Sequence, residues 1–335
     1  MKVAVLGATG LVGREMLSVL EQRNFPVEEL IPLASAKSAG KKLLFKGREC
    51  TVREVEKTAF DGVDLALFSA GSAASENWAP VAAEKGTIVV DNSSAWRMAQ
   101  DVPLIVPEVN GHELSKQKGI IANPNCATIQ ALVALFPLHR EAELESFNAV
   151  TFQSVSGTGI RALEELREGA LALLSGGSFE PKVYPRPIAF NAIPQIGSFD
   201  SEGISQEEWK MVNESRKILG LPDLSVSCTT VRVPVFRGHS EAITAVFRTS
   251  LSPERAREIL RNAPGVNLVD DAVSGRFPTA LEAAGSDAVH VGRIRRDTGS
   301  SRGLALWVVA DNLRKGAALN AVQIAEALLS SGQLK

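Results

Sequence analysis

The chain has 335 residues, enough for two domains of ordinary size, and its formal net charge of −2 offers no overall field that would attract nucleic acid or an anionic membrane. Its three cysteines, Cys50, Cys126 and Cys228, are far apart and odd in number. They argue against a disulfide framework or a structural zinc site and fit a reducing compartment. No apolar run approaches the ~18 residues that span a bilayer, and no signal-peptide pattern is present. We therefore expect a cytoplasmic protein with no membrane or nucleic-acid partner.

The first third of the chain alternates short apolar runs with amphipathic segments. The predicted strands are 3–6, 30–34, 64–69 and 87–90, and the predicted helices are 14–23 and 75–85. This alternation predicts an α/β domain with a parallel, doubly wound sheet. A turn at residues 123–126 then precedes an apolar helix predicted at 127–138.

The pattern changes from residue 147 onward. Segments 150–155, 226–235 and 241–249 alternate as antiparallel strands with one covered face would. The stretch 179–199 carries four prolines and predicts a long loop or arm, with a functional or intersubunit role. A strand at 304–309, a turn at 311–316 and a helix at 317–330 follow, and could return to either domain.

A glycine-rich turn, GATGLVG, occupies residues 7–13 between the first predicted strand and helix. Glycines at this spacing permit a tight turn and close backbone approach to a pyrophosphate, which sits on the helix N-terminus. The alternative is an ordinary strand-to-helix turn. Ser69 and Gly71 end the third strand on the same carboxyl edge. The expected cofactor contacts in the turn are Gly7, Thr9, Gly10, Leu11, Val12 and Gly13.

The second strand is not followed by the acidic residue that binds the ribose 2′-hydroxyl of NAD. Ser35, Lys37 and Ser38 stand there instead and could bind a 2′-phosphate through hydroxyl donors and a point charge. This favours NADP over NAD. The alternative for Lys37 is a solvated loop lysine.

Cys126 directly precedes the apolar helix, where orphan N–H groups and the helix dipole stabilise a thiolate. Free cysteines are also often small buried hydrophobes, and the residues alone leave both interpretations open. A cysteine nucleophile needs an acid/base partner. Among the four histidines we select His239, which we expect to be exposed near a turn between two strands.

Six segments, taken together and in order from residue 1 to about residue 325, resemble the bacterial type of aspartate-semialdehyde dehydrogenase. The segments are 7–13, 91–97, 123–126, 153–159, 232–241 and 311–316. The resemblance implies a Rossmann-type, doubly wound N-terminal sheet plus an α+β catalytic and dimerisation domain, and a homodimer. The predicted division is 1–126 with 312–335 for the cofactor domain, and 127–311 for the inserted domain.

The resemblance also implies roles. Cys126 matches the nucleophile, Gln153 the residue that holds the thioester, and His239 the acid/base. Arg232 would bind the substrate carboxylate and Glu207 its amino group, and Glu207 shares a helix face with Lys210 at spacing i, i+3. The remaining matches are Lys210, Arg97, Asn92 and Ser94 for phosphate, and Ser156, Gly157 and Asn312 for the cofactor.

The implied reaction is the NADP-dependent, reversible reductive dephosphorylation of L-aspartyl 4-phosphate to L-aspartate 4-semialdehyde through a Cys126 thioester, without a metal. It feeds lysine, threonine, methionine and diaminopimelate biosynthesis. The alternatives are an enzyme like N-acetylglutamyl-phosphate reductase and an inactive homologue kept for binding. The Glu207–Arg232 pair disfavours the first, and retention of the Cys126 set disfavours the second. Without the resemblance, the residues indicate only a two-domain NAD(P)-binding oxidoreductase.

Overall fold

A computed structural model describes residues 1–334 and divides the chain into two compact units. The first unit is Met1–Asn125 together with the segment that starts at Ala317, and the second is Cys126–Gly316. The predicted boundaries lay after residues 126 and 311, so Cys126 and residues 312–316 belong to the second unit instead. The reason is local packing, because Gly316 lies directly against Cys126.

The elements follow the chain in this order. The strands are β1 (Lys2–Leu6), β2 (Glu29–Ala34), β3 (Lys42–Phe45), β4 (Arg48–Thr51), β5 (Arg53–Glu54), β6 (Leu65–Phe68), β7 (Ile88–Asp91), β8 (Ile120–Ala122), β9 (Leu144–Gln153), β10 (Ser225–Arg232), β11 (His239–Phe247), β12 (Val266–Leu268), β13 (Val289–Arg296) and β14 (Gly303–Ala310). The helices are α1 (Leu11–Gln22), α2 (Ser72–Glu84), α3 (Pro107–Asn110), α4 (Cys126–Ala142), α5 (Ile160–Leu174), α6 (Gln206–Leu219), α7 (Pro253–Arg261), α8 (Ala280–Ala283) and α9 (Leu319–Ser330).

The sheet of the first unit is parallel and has the order β5-β2-β1-β6-β7-β8. The chain runs outward from β1 to β2 and then returns to β6 on the other side. The carboxyl ends of β1 and β6 therefore form a topological switch point, the usual ligand crevice of doubly wound sheets. The four predicted strands and two predicted helices of this region are confirmed. The β3–β4 hairpin and β5 were not predicted.

Both faces of this sheet are buried, which explains why its strands read as continuous apolar runs. One face packs Val3 and Val5 against Leu17 and Leu20 of α1 and against α9, which includes Leu328. The other face packs β1, β2 and β6 against α2 and the short turn 57–60. The C-terminal helix therefore completes the first unit.

The sheet of the second unit is mixed, in the order β10-β9-β11-β14-β13-β12. The predicted antiparallel pairing is confirmed for β11 with β9, and β11 also runs antiparallel to β14. It is wrong for β10, which runs parallel to β9. The physical reason is the connection: a parallel neighbour needs a long crossover, and α5, the arm 179–199 and α6 supply it. One face of the sheet is covered by α4, α6 and α7.

The predicted arm contains no helix or strand, and two isolated antiparallel bridges join its Ile193 to Arg232 and its Phe199 to Ser205. Within residues 1–334, no helix combines the length and the apolar character needed to cross a membrane.

Candidate active site

Strand register gathers three of the predicted residues at one end of the mixed sheet. Gln153 ends β9 and Arg232 ends β10, and the two are paired in register because the strands are parallel. β11 runs antiparallel to β9 and begins at His239, one residue before the pair Ser240–Phe152. The ends of two strands and the start of a third therefore converge.

Cys126 is the first residue of α4, as the sequence predicted, and is partly exposed. The Gln153 side chain donates from Nε2 towards the Cys126 sulfur at 4.0 Å and to Oε1 of Glu207 at 3.1 Å. Gln153 therefore connects the thiol to a buried carboxylate. The Cys228 thiol is not a candidate nucleophile, because burial raises its pKa well above the ordinary range and keeps the thiol protonated.

The start of α6 decides which of two adjacent glutamates faces this site. Glu208 belongs to a capping box with Ser205: it accepts from the Ser205 backbone N–H at 2.7 Å and from the Thr230 N–H at 3.0 Å. Glu207 is thereby directed inward, where it is buried and paired with Lys210 at 2.9 Å. The predicted i, i+3 relation is present.

His239 is completely buried, so the prediction of an exposed histidine is wrong. Ser154 and Gly157, which follow β9, lie against its ring. The Ser154 backbone N–H donates to Nδ1 at 3.0 Å. Nδ1 is therefore an acceptor, so in the neutral ring the proton resides on Nε2, which is buried and has no partner. Burial, and then the charge of Arg232, lower the pKa of His239 to about 3.

Arg232 faces the same space as His239. It donates from Nη1 to the Ser154 carbonyl at 2.7 Å, while its Nε is buried without a partner. A Cβ at Gly157 would lie 3.4 Å from this Nη1 and 3.6 Å from Nε2 of His239, so the two polar groups are directed at one small volume. The Tyr184 ring lies 6.0 Å from the guanidinium carbon.

The side chain of Asn312 is tied into this site from the turn after β14. Its Oδ1 accepts from the Gly238 N–H at 2.9 Å and from the Ser154 hydroxyl at 3.1 Å, and its amide group donates to the buried Ser156 at 2.9 Å. Asn312 therefore fixes the backbone at Gly238, the residue immediately before His239.

In the first unit, the glycine turn has the geometry that its spacing predicts. Gly7 adopts a φ of +87°, and a Cβ there would overlap the Ser69 carbonyl. A Cβ at Gly13 would overlap the Gly7 carbonyl. Helix α1 follows, with Gly10 at its N-cap and no side chain capping it, so the first N–H groups of Leu11 and its successors are available to an anion.

The other expected cofactor residues of this unit lie at the carboxyl ends of β2 and β6. Ser35, Lys37 and Ser38 form a short 3₁₀ turn after β2, and Ser35 and Lys37 are exposed. Ser69 donates its N–H to Leu6 at 2.8 Å, beside the glycine turn, and exposed Gly71 precedes α2.

The segment after β7 holds the remaining predicted phosphate residues. Arg97 is buried and donates to the carbonyls of Asn123 at 2.9 Å and Asn92 at 2.7 Å. The side-chain amide of Asn92 is buried with neither atom paired. Ser94 is exposed and 3.0 Å from the Ser72 hydroxyl. These residues belong to the first unit, and Lys210 belongs to the second.

Known families match both units. The model described as semialdehyde dehydrogenase, NAD binding domain, matches residues 2–117, and the one described as semialdehyde dehydrogenase, dimerisation domain, matches residues 135–315. The aspartate-semialdehyde dehydrogenase of Aquifex aeolicus is 52% identical, covering 99% of this chain and 98% of its own. That of Bacillus subtilis is 48% identical over 97% and 96%. The chain belongs to the aspartate-semialdehyde dehydrogenase family.

Solved structures agree with this membership. Aspartate semialdehyde dehydrogenase II of Vibrio cholerae, described as complexed with ASA, is 47% identical and superposes with a TM-score of 0.95 over 98% of each chain. The Candida albicans aspartate semialdehyde dehydrogenase, described as with NADP, is 26% identical with a TM-score of 0.79 over 99% of each chain. The predicted fold class is confirmed.

Membership in the aspartate-semialdehyde dehydrogenase family makes the chain an oxidoreductase of amino-acid biosynthesis that uses a nicotinamide cofactor. The sequence did not single out three residues of this site: Ser154, Tyr184 and Gly316. Ser154 contacts His239 through its backbone N–H, the Tyr184 ring lies near Arg232, and Gly316 has no side chain and so lies close to Cys126. Among residues 1–334, no cluster of three or more His, Cys, Asp and Glu side chains is arranged to hold a metal ion.

Proposed function

We propose that the chain catalyses the NADP-dependent, reversible conversion of L-aspartyl 4-phosphate to L-aspartate 4-semialdehyde through a thioester on Cys126. The observation that carries this proposal is the grouping of five side chains in the second unit. Cys126, Gln153 and Glu207 form one connected chain, while Arg232 and His239 face a common volume. The product would feed lysine, threonine, methionine and diaminopimelate biosynthesis.

In the oxidative direction the Cys126 thiolate attacks the aldehyde carbon and forms a tetrahedral adduct with a negatively charged oxygen. The Nε2–H of His239 donates to that oxygen. Loss of hydride from the adduct carbon leaves the thioester, and Gln153 orients the sulfur. Thiolate, aldehyde and an oxidised nicotinamide balance with thioester and reduced nicotinamide, so this step releases no proton.

Phosphate then attacks the thioester carbonyl, and the carbon–sulfur bond breaks to release aspartyl phosphate. The proton of hydrogen phosphate leaves at this step, and Cys126 is regenerated as a thiolate. By the family resemblance we assign phosphate binding to Lys210 in the second unit and to Arg97, Asn92 and Ser94 in the first. The unpaired amide of Asn92 supports this role, because a buried unpaired amide needs a partner.

Substrate recognition would rest on Arg232 and Glu207. The buried, unpartnered Nε of Arg232 is suited to a carboxylate, and the buried carboxylate of Glu207 to an ammonium group. An N-acetylated substrate has no ammonium group for Glu207 to bind, so we place it second.

We assign the cofactor as NADP, which supplies the hydride acceptor when bound. The free N–H groups behind Gly10 suit its pyrophosphate, and the exposed Ser35–Ser38 turn, which contains Lys37, suits a 2′-phosphate. The NADP named for the Candida albicans relative supports the assignment. Ser156, Gly157 and Asn312 would contact the nicotinamide end.

We further propose a homodimer formed through the uncovered face of the mixed sheet. That face carries half-buried aromatic side chains, including Phe152 and Trp307, whose ring centroids are 5.6 Å apart. The dimerisation-domain match covers the same sheet. Sedimentation equilibrium tests this, and a monomer at micromolar concentration would contradict it. We place the protein in the cytoplasm, because its three cysteines are unpaired.

The decisive experiment mixes purified protein with aspartate semialdehyde, phosphate and either NADP or NAD, and follows the formation of reduced nicotinamide by absorbance. We expect formation only with phosphate, faster with NADP, abolished in Cys126→Ser and retained in the matched control Cys50→Ser. Turnover in Cys126→Ser would exclude the thioester. Equal rates with NAD would contradict only the cofactor assignment.

The phosphate role of Lys210 is tested within the same assay. Lys210→Ala should raise the KM for phosphate more than the KM for semialdehyde, whereas Lys217→Ala, on the last turn of the same helix, should change neither. Equal effects on both substrates would exclude a phosphate-specific role.

A further inference from the structure

A second row of polar side chains lies beneath the site, on the same face of the mixed sheet. Glu241 follows His239 by two residues on β11, so the two side chains point to the same face. Glu241 is completely buried, and neither carboxylate oxygen has a hydrogen-bond partner. The reaction as proposed does not use it.

Gln130 is the polar side chain that lies near enough to Glu241 to affect its pKa, although no hydrogen bond joins the two side chains in the structure. It lies one helical turn after Cys126 on α4 and is also buried. Its Nε2 donates to the His239 carbonyl at 3.4 Å, while its Oε1 is buried without a donor. Glu241 therefore has two buried oxygens without a hydrogen-bond donor, and Gln130 has one.

Ionised Glu241 would worsen this arrangement, because a carboxylate offers only acceptors. A protonated Glu241 supplies the missing donor, since its O–H can donate to Oε1 of Gln130. Burial acts in the same direction and raises the pKa of Glu241 well above its ordinary range, opposed by the Gln130 side chain alone.

The neighbouring strands offer Glu241 no compensating charge. Its register partners are Thr151 on β9 and Val308 on β14, and neither ionises. On β10 the titratable group that would sense a charge on Glu241 is Cys228, whose thiol stays protonated.

We propose that Glu241 is a neutral carboxylic acid that fixes the helix of Cys126 to the strand of His239 through Gln130. It is a positioning residue: Glu241 donates to Gln130, and Gln130 donates to the His239 backbone. The link joins the element that carries the nucleophile to the element that carries the oxyanion donor. The proposal rests on the roles given above to Cys126 and His239.

Two variants separate the charge of Glu241 from its hydrogen bond. Glu241→Gln is neutral and can still donate to Gln130, and we expect its turnover number to stay within about twofold of the parent. Glu241→Leu fills the space without a donor. We expect its turnover number to fall about tenfold to a hundredfold with a much smaller change in substrate KM, because misplaced reacting groups lower the chemical rate. Normal turnover in Glu241→Leu would overturn the positioning role.

Stability against pH measures the protonation state without using activity. Above the ordinary pKa of glutamate, the unfolded parent releases a proton that the native state retains. The folding equilibrium constant of the parent should therefore fall about tenfold per pH unit relative to Glu241→Gln. A parallel pH dependence of the two proteins would show that Glu241 is ionised in the native state.

Glu165→Gln is the matched control for the stability measurement. Buried Glu165 accepts three backbone N–H groups, from Lys182, Val183 and Tyr184, so replacing this carboxylate should destabilise the protein at neutral pH. Infrared difference spectra, parent minus Glu241→Gln, should contain the carbonyl band of a protonated carboxylic acid. If the parent itself has no dehydrogenase activity, the proposed function fails, while the stability and infrared results still decide the state of Glu241.

Discussion

The neutral state of His239 leads to a pH dependence that can be measured. We compare the parent with His239→Asn, which removes the titrating ring but can still accept the Ser154 N–H through its side-chain oxygen. In the native parent the ring is buried, its Nδ1 accepts that N–H at 3.0 Å, and Arg232 faces it. Each of these features opposes a second proton on the ring.

The pKa of His239 is lowered from 6.5 to about 3. A depressed histidine pKa means that the unfolded chain binds a proton that the native state does not. Stability is therefore unaffected above the unfolded value and is lost as pH falls below it. Well below pH 6.5 each pH unit costs about 1.4 kcal/mol of stability, so between pH 6.5 and 4.5 the parent should lose about 2 kcal/mol relative to His239→Asn.

Urea unfolding at half-unit pH steps measures this difference, provided that both proteins show the same dependence on urea concentration. Turnover adds a second readout. His239→Asn should lower the turnover number at least about a hundredfold by removing an oxyanion donor, and parent single-turnover hydride transfer should show no ionisation between pH 5 and 8 from this residue. A stability difference that is independent of pH, or a group titrating near pH 6.5 in the parent alone, would refute the neutral assignment.

Three further changes test separate parts of the structure. Gly13→Ala should weaken cofactor binding and lower the melting temperature, despite the helix propensity of alanine, because its Cβ would overlap the Gly7 carbonyl; unchanged calorimetric affinity would contradict this. Tyr184→Ala should raise the KM for semialdehyde about three- to tenfold by removing the ring over Arg232, whereas Tyr184→Phe should not. Ser205→Ala should cost about 1 kcal/mol of unfolding free energy through loss of the α6 cap, with turnover retained.

Local patterns predicted the first unit well. Its strands are buried on both faces, so they appear as apolar runs. The glycines at 7, 10 and 13 mark positions where a backbone carbonyl lies close to where a side chain would begin. The β3–β4 hairpin was missed because its strands are short and largely exposed, and their residues show no regular alternation. In the second unit, alternation located β9, β10 and β11 but could not give the direction of β10, because side-chain alternation is the same in parallel and antiparallel strands.

The candidate site shows the same division. Motif resemblance predicted Cys126, Gln153, Arg232 and His239 as site residues, and helical spacing favoured Glu207 over its neighbour. Burial of His239 was not readable, because the residues that cover it come from another strand. The Ser154 N–H, the Glu241–Gln130 pair and the Gly316 contact also depend on partners distant in the chain.

By itself the sequence determined the fold class, the family and the glycine-rich turn, and it predicted Cys126 as the nucleophile, because these features depend on short segments whose chemistry is local. Only the tertiary structure decided the tautomer of His239, the burial of an unpaired Glu241 carboxyl group and the contacts of Cys126 with Gln153 and Gly316. These properties arise from desolvation and from hydrogen bonds between segments far apart in the chain. Both are consequences of folding, and the residue types alone do not contain them.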